Sequence, residues 1–315
     1  MPLFSSHEPL EITLVTDLGS LRSDRSETDR PALLVLAGGN SLPVEVRPRG
    51  DLRRNPAVCS FPPLRLNLRS GGADGTPFAG QDKLKMVVPC HLGRDSFEAL
   101  VLREYLLYRV YALVTDLSYR VRLARITFRD GAGRDDPVTR WAFFIEDASA
   151  LAARVGGEVV ELPEGKVLRP EALHPTEAVT MALFQYLIGN TDWHDAQGHN
   201  VTNLALPGRV VPVPYDFDFA GAVEAPYANP LDGLPITDVR QRLYWGWCWP
   251  QLDTEPMVAR FREIRPALEA LYRSFEPLDE RTREETLEYY ADFYENVSTP
   301  ERAVHYVFRH CRRLR

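Results

Sequence analysis

At 315 residues, with 44% apolar and 26% charged side chains, the chain has globular composition and enough length for two lobes with separate cores. Its formal net charge of −7 argues against a nucleic-acid surface, which needs a strongly basic patch, and no apolar run nears the ~20 residues that span a bilayer. A soluble protein with no nucleic-acid partner and no membrane span is expected; residues 1–25 show no basic-then-apolar leader, and the compartment, cytoplasmic or exported, stays open.

The first ~90 residues alternate in the β manner, over Leu10–Thr16, Pro43–Arg47, Leu64–Leu68 and Lys83–Val88, with Gly, Pro and Asp between the runs. A helix is expected from Ser96 to Asp116, capped by Asp95 or Ser96, and strands return at Arg120–Arg129 and Arg140–Glu146. A short helix over Ser149–Val155 leads to Gly156-Gly157. The chain therefore divides into a β-rich lobe over 1–146, a hinge over 147–157 and a helical lobe over 158–315.

The second half opens with a buried helix over Pro175–Ile188, with Pro175 near its first position. A hairpin follows, Val201–Leu206 and Arg209–Val213, turned at Pro207-Gly208. Helices are expected at Asp238–Trp245, Glu255–Ile264, Arg265–Phe275, Glu280–Asn296 and Pro300–Arg313. The fold class is α+β with two lobes.

The four cysteines, Cys59, Cys90, Cys248 and Cys311, show no C-x-x-C pair and read as buried free thiols, with one or two disulfides open to an exported protein. Of 37 basic residues only Lys83, Lys85 and Lys166 are lysine, so two lysines at i and i+2 in one short apolar strand stand out. A lysine offers a compact point charge where a single phosphate oxygen must be reached.

Chemistry concentrates after the buried helix. Gly189–Asn200 is a polar loop holding Asn190, Asp192, His194, Asp195, His199 and Asn200, and across the hairpin lies Pro214-Tyr215-Asp216-Phe217-Asp218. The hairpin returns the chain, so Asp216 can lie near Asn200 and Asp192. Two carboxylates and an amide oxygen around one point make a hard-oxygen site suited to Mg²⁺ or Mn²⁺ together with phosphates. The order matches phosphoryl transfer, where one Asp orients the acceptor hydroxyl, an Asn holds metal and a later Asp bridges metal to phosphate.

The runs N-T-D-W-H…H-N and V-P-Y-D-F-D resemble atypical kinases of the CotH (spore-coat kinase) and HipA types, with the order of the protein-kinase patterns H-R-D-x-x-x-x-N and D-F-G. Val46–Asp51 resembles the R-G-N segment of CotH-like proteins, and Phe144-Ile145-Glu146 their strand before the hinge. The resemblance implies a two-lobed protein-kinase-like fold, with one long helix in the β-rich lobe, and an enzyme moving the γ-phosphate of Mg·ATP to a hydroxyl acceptor on a protein. It assigns Asp192 as the catalytic residue. It places Lys85 or Lys83, Glu104, Arg49 and Glu146 at the nucleotide, and Asp216, Asn200 and Asp218 at the metal. Asp192 and Asn200 are eight positions apart, three more than in the protein-kinase pattern, which leaves Asp195 or His199 open for one of these roles, and no G-x-G-x-x-G loop precedes them.

Two other classes fit the same residues. His194 and His199 with the aspartates would suit a metal-dependent hydrolase, and a non-catalytic scaffold or coat-type protein would keep them as turn formers. Trp245, Trp247 and Trp249 read as packing against the loop rather than as a substrate platform, and the sequons at Asn200 and Asn296 as chance.

Overall fold

The computed structural model describes residues 2–68, 72–163 and 165–314; the expected lobe limits at Met1 and Arg315 lie outside them. The chain separates into two compact units. Unit 1 comprises Met1–Tyr105 with Arg120–Asp147, and unit 2 comprises Leu106–Tyr119 with Ala148–Arg315.

Unit 1 is built on seven strands: β1 (Leu10–Thr16), β2 (Arg30–Leu36), β3 (Ser41–Pro48), β4 (Leu64–Asn67), β5 (Lys83–Val87), β6 (Val121–Asp130) and β7 (Val138–Ile145). They close in the order β1-β2-β3-β4-β5-β7-β6. Every pairing is antiparallel except β1 with β6, which runs parallel with Leu10 opposite Ala124 and Thr16 opposite Asp130. Strand alternation sends Leu14, Leu34, Val46, Leu66, Leu84, Ile126 and Phe144 into a dry interior. Each such side chain contributes roughly 1.5–3 kcal/mol by leaving water. Phe61 meets Phe128, and Phe78 meets Phe144, edge to face. Strand β2 escapes the sequence pattern because Arg30–Leu36 carries Pro31 and a continuous apolar run instead of an alternation.

The expected two-lobed protein-kinase-like architecture, with a β-rich first lobe holding one long helix and a mainly helical second one, is not what forms. The parallel β1–β6 pairing closes the sheet into a barrel and satisfies backbone groups that an open edge would leave unpaired. Helix accounts for 32% of the chain and strand for 22%, with a few helices beside a closed seven-stranded barrel, unlike a two-lobed kinase fold with a helical second lobe.

Helix α2 (Asp95–Val114) divides at Tyr105 between the units. Unit 2 contains α3 (Ala148–Val155), α4 (Pro175–Ile188), α5 (Glu255–Arg273), α6 (Glu280–Asn296) and α7 (Pro300–Tyr306). A three-stranded sheet accompanies them, β10 (Arg209–Pro214), β9 (Val201–Leu206) and β8 (Glu158–Val159). Every residue of α4 from Ala178 to Ile188 is buried, so it is the axis of unit 2. The two helices expected at 255–275 are one, because Met257, Phe261, Ile264, Leu268 and Tyr272 keep a continuous buried stripe through Pro266. The helix expected at Asp238–Trp245 does not form; the segment is turns and irregular chain.

The cysteines are also not free. Cys59 pairs with Cys90 inside unit 1, and Cys248 with Cys311 inside unit 2. Cross-links closing loops of 31 and 63 residues contribute roughly 3–4 kcal/mol each in the chain-entropy account. The second bond ends the C-terminal helix early: α7 stops at Tyr306, and the tail turns back so that the Cys248 N–H donates to the Arg312 carbonyl at 2.7 Å.

Candidate functional site

The loop of unit 2 that carries Asp192 begins where α4 stops. Gly189 caps the helix at φ 66°, and a Cβ there would fall 2.0 Å from the Tyr289 hydroxyl oxygen, so glycine alone fits. Asn190 then organises the turn. Its Oδ1 accepts from the Asp192 N–H at 2.9 Å, its Nδ2 donates to Gln185 Oε1 at 3.1 Å, and its carbonyl accepts from the Trp193 indole at 3.1 Å.

Asp192 is gripped from two sides. His199 Nε2 lies 2.8 Å from its Oδ1, and Asn200 Nδ2 donates to its Oδ2 at 3.0 Å and its carbonyl at 2.8 Å. The carboxylate beside it holds the His199 pKa above the usual value, with Asp216 adding to the same effect. His194 goes the other way, lowered by burial and by the Arg312 guanidinium.

The hairpin β9–β10 brings the second half of the site back. Val201 pairs with Pro214, and the Tyr215 N–H donates to the Asn200 carbonyl at 3.0 Å. Asn200 at φ 53° and Asp216 at φ 62° are both left-handed, a conformation that non-glycine residues adopt at a cost and that clusters at functional sites. The Asp216 N–H donates to the Tyr108 hydroxyl at 2.9 Å. Next to it Phe217 is fully buried, with Tyr108 at 4.6 Å and Phe184 at 5.3 Å between ring centroids. The neighbouring side chain is thereby anchored, while the Asp216 carboxylate makes no hydrogen bond or ion pair with a described residue. Asn200 Oδ1 is likewise unengaged, since the amide uses its nitrogen on Asp192.

Of the other expected metal ligands, Asp218 is buried and accepts a hydrogen bond from the Tyr227 hydroxyl at 3.1 Å. Among the described residues no three His, Cys, Asp or Glu side chains are grouped to hold a metal. A hard cation would find two oxygen ligands, Asp216 and Asn200 Oδ1, and would need phosphate oxygens or water for the rest, the habit of Mg²⁺. The donor set fits that ion on those terms only.

The nucleotide candidates lie in unit 1. Lys83 and Lys85 point to one face of β5, Lys83 exposed and Lys85 half-buried. Glu104 is buried on α2. Arg49 follows β3, half-buried, with its Nε unbonded. Glu146 is buried at the end of β7, where its Oε2 accepts from the Arg120 N–H at 3.1 Å and its own N–H donates to the Arg120 carbonyl. That places it in a backbone clasp between β7 and β6.

Sequence reasoning left His199 as an alternative when it is the direct partner of Asp192, and gave Asp195 no firm place. Asp195 is buried and ties the loop to the C-terminal tail. Its Oδ1 accepts from the Ala196 N–H at 2.8 Å and lies 3.4 Å from Arg312 Nη2, and its Oδ2 accepts from the Trp247 indole at 2.8 Å. Arg312 stacks over Trp247 at 3.9 Å and Trp245 at 4.8 Å. The aromatic segment thus packs against the loop. No protein-family model matches this chain, and no curated protein matches it either.

Proposed function

We propose that this protein is a phosphotransferase that moves the γ-phosphate of Mg·ATP to a hydroxyl acceptor, with its reacting centre at the base of the β9–β10 hairpin. What supports the reading is that the Asp216 carboxylate and Asn200 Oδ1, neither engaged by a described residue, sit on two left-handed residues at the base of one hairpin, with Asn200 holding the Asp192 carboxylate. An acid left without a partner next to an anchored aromatic core serves the fold poorly, and it suits a cation carried in by phosphate. A bound Mg²⁺ would supply charge neutralisation at the transferring phosphate.

The chain's own residues would do the positioning. Asp192, held by His199 and Asn200, would accept the hydrogen bond of the incoming hydroxyl and orient it. Asn200 couples the two roles, because one amide fixes Asp192 through nitrogen and offers its oxygen to the metal. Most of the acceleration would come from placement and charge rather than from covalent chemistry. The reading rests on this site and not on a family architecture.

The test follows ATP consumption by ³¹P NMR with and without Mg²⁺. Metal-dependent loss of the γ-phosphate signal in the wild type, cut by orders of magnitude in Asp192→Ala with nucleotide affinity retained, supports the reading. Equal turnover in Asp192→Ala sinks it.

A further inference from the structure

The last residues of the chain reach back to the loop that carries Asp192. Arg312 and Trp247 face each other in a two-bond parallel ladder. The Arg312 N–H donates to the Gly246 carbonyl at 2.8 Å, and the Cys248 N–H donates to the Arg312 carbonyl at 2.7 Å. Both side chains of that pair end on one carboxylate: the Trp247 indole donates to Asp195 Oδ2 at 2.8 Å, and Arg312 Nη2 lies 3.4 Å from Asp195 Oδ1. The Arg312 guanidinium also lies over the Trp193 ring, 5.5 Å from its centroid. The tail thus holds the loop one residue and three residues past Asp192.

A two-bond ladder between short segments is marginal in water. Here its register is fixed covalently. Cys248 follows Trp247 and Cys311 precedes Arg312, so the disulfide sits one residue from each gripping side chain. The two disulfides of the chain also differ in reach. Cys59 and Cys90 are 0% and 1% exposed, whereas Cys248 and Cys311 are both half-buried. Thiol–disulfide exchange requires a thiolate to reach a sulfur, and the exposed bonds of a protein are its labile ones. The bond that fastens the tail to the loop is therefore the one open to reduction.

We propose that the C-terminal tail is a redox-released clamp on the Asp192 loop, with Arg312 as the positioning residue and Cys248–Cys311 as the latch. The effect of the clamp on phosphate transfer rests on the reading of the site given above; the clamp itself does not. A dithiol opens it. One thiolate of the dithiol attacks a sulfur of the bond to give a mixed disulfide, and the second thiolate displaces the protein. The dithiol leaves as its cyclic disulfide, and its two electrons and two protons end on Cys248 and Cys311 as thiols. Without the bond the ladder loses its register, Arg312 leaves Asp195 and Trp193, and the loop that presents Asp192 loosens. Catalysis by placement is sensitive to such a change, since a displacement of about 1 Å costs on the order of a hundredfold in rate. Asp216 is anchored separately, through Tyr108 and Phe217, so nucleotide affinity should outlast the release.

The experiment treats the whole chain with limiting dithiothreitol, identifies the freed cysteines by alkylation and mass spectrometry, and follows amide hydrogen exchange and ATP turnover. Cys248 and Cys311 should be alkylated before Cys59 and Cys90. In that form, exchange over residues 193–199 should quicken at least about tenfold while α5 and α6 keep their protection. Turnover should fall at least about tenfold with nucleotide affinity unchanged, and reoxidation should restore both. Cys248→Ser combined with Cys311→Ser should match the reduced form and show no further response to the same dose. Arg312→Gln should loosen the same amides with the bond intact, and should raise the His194 pKa because a cation that lowers it is gone. Arg312→Lys, which keeps the charge, should leave His194 near its wild-type value. Loop protection that survives both reduction and Arg312→Gln overturns the clamp, whether or not the protein transfers phosphate. Cys59–Cys90 opening first removes the latch, and full turnover with a loosened loop removes the positioning role of Arg312. A loop that loosens in a protein with no transfer activity even when oxidised leaves the clamp standing and overturns the reading of the site instead.

Discussion

Two aspartates of unit 2, Asp195 and Asp216, sit on the two sides of one hairpin and are treated in opposite ways. Asp195 is 1% exposed and its oxygens are taken by the Ala196 amide, the Trp247 indole and the Arg312 guanidinium. Asp216 is half-buried, strained to φ 62°, and its carboxylate has no such partners. The first carboxylate closes the fold around the loop, with the Cys248–Cys311 bond holding its arginine in place. The second is held by its backbone and by Phe217, leaving its oxygens for something else. The difference teaches how to separate a structural acid from a functional one: by counting what its oxygens accept, not by its motif.

That contrast can be broken by substitution, and the largest effect should fall on activity. Asp192→Ala is expected to reduce phosphate transfer by at least about a thousandfold, read as turnover against nucleotide affinity, because it removes the acceptor's anchor. Next comes stability at the closed acid. Asp195→Ala leaves the half-buried Arg312 without its carboxylate partner and removes the acceptor of the Ala196 amide and the Trp247 indole, and should cost about 2–4 kcal/mol in chemical denaturation. Asp216→Asn should change stability by less than about 1 kcal/mol in the same assay, since no contact of its carboxylate is lost. If the two denaturation curves shift alike, the division between structural and functional acids fails.

The same view explains what the sequence disclosed. The helix at Pro175–Ile188 and the hairpin that brings Asp216 back towards Asn200 were legible, because a long apolar run opened by proline, a period-2 pattern and a Pro-Gly turn are local signals. Barrel closure was not, because the β1–β6 pairing joins residues more than a hundred positions apart and leaves no local trace. The disulfides stood only as the alternative to free thiols, and their pairing was not legible, because Cys248 and Cys311 meet only when the tail folds back. His199 was left open since a histidine seven residues past an aspartate has no fixed spacing of its own; the turn made by Asn190 and the His194–His199 bridge create the contact.

A smaller effect sharpens the picture around Asp192. The raised His199 pKa means that its stabilising contact is fully present below the ordinary histidine value of ~6.5 and is lost as pH rises through the folded value. Histidine titration by NMR should place His199 above His194, whose pKa burial lowers. In Asp192→Asn the His199 midpoint should fall; an unmoved midpoint would mean that the contact is absent in solution.

The most direct measurement of the central claim is calorimetric titration of the protein with ATP, with and without Mg²⁺, beside Asp216→Asn. Binding that strengthens with Mg²⁺ in the wild type, and loses that strengthening in the variant, is the result expected if Asp216 and Asn200 receive the cation. Mg²⁺-dependent binding that survives unchanged in Asp216→Asn would contradict it.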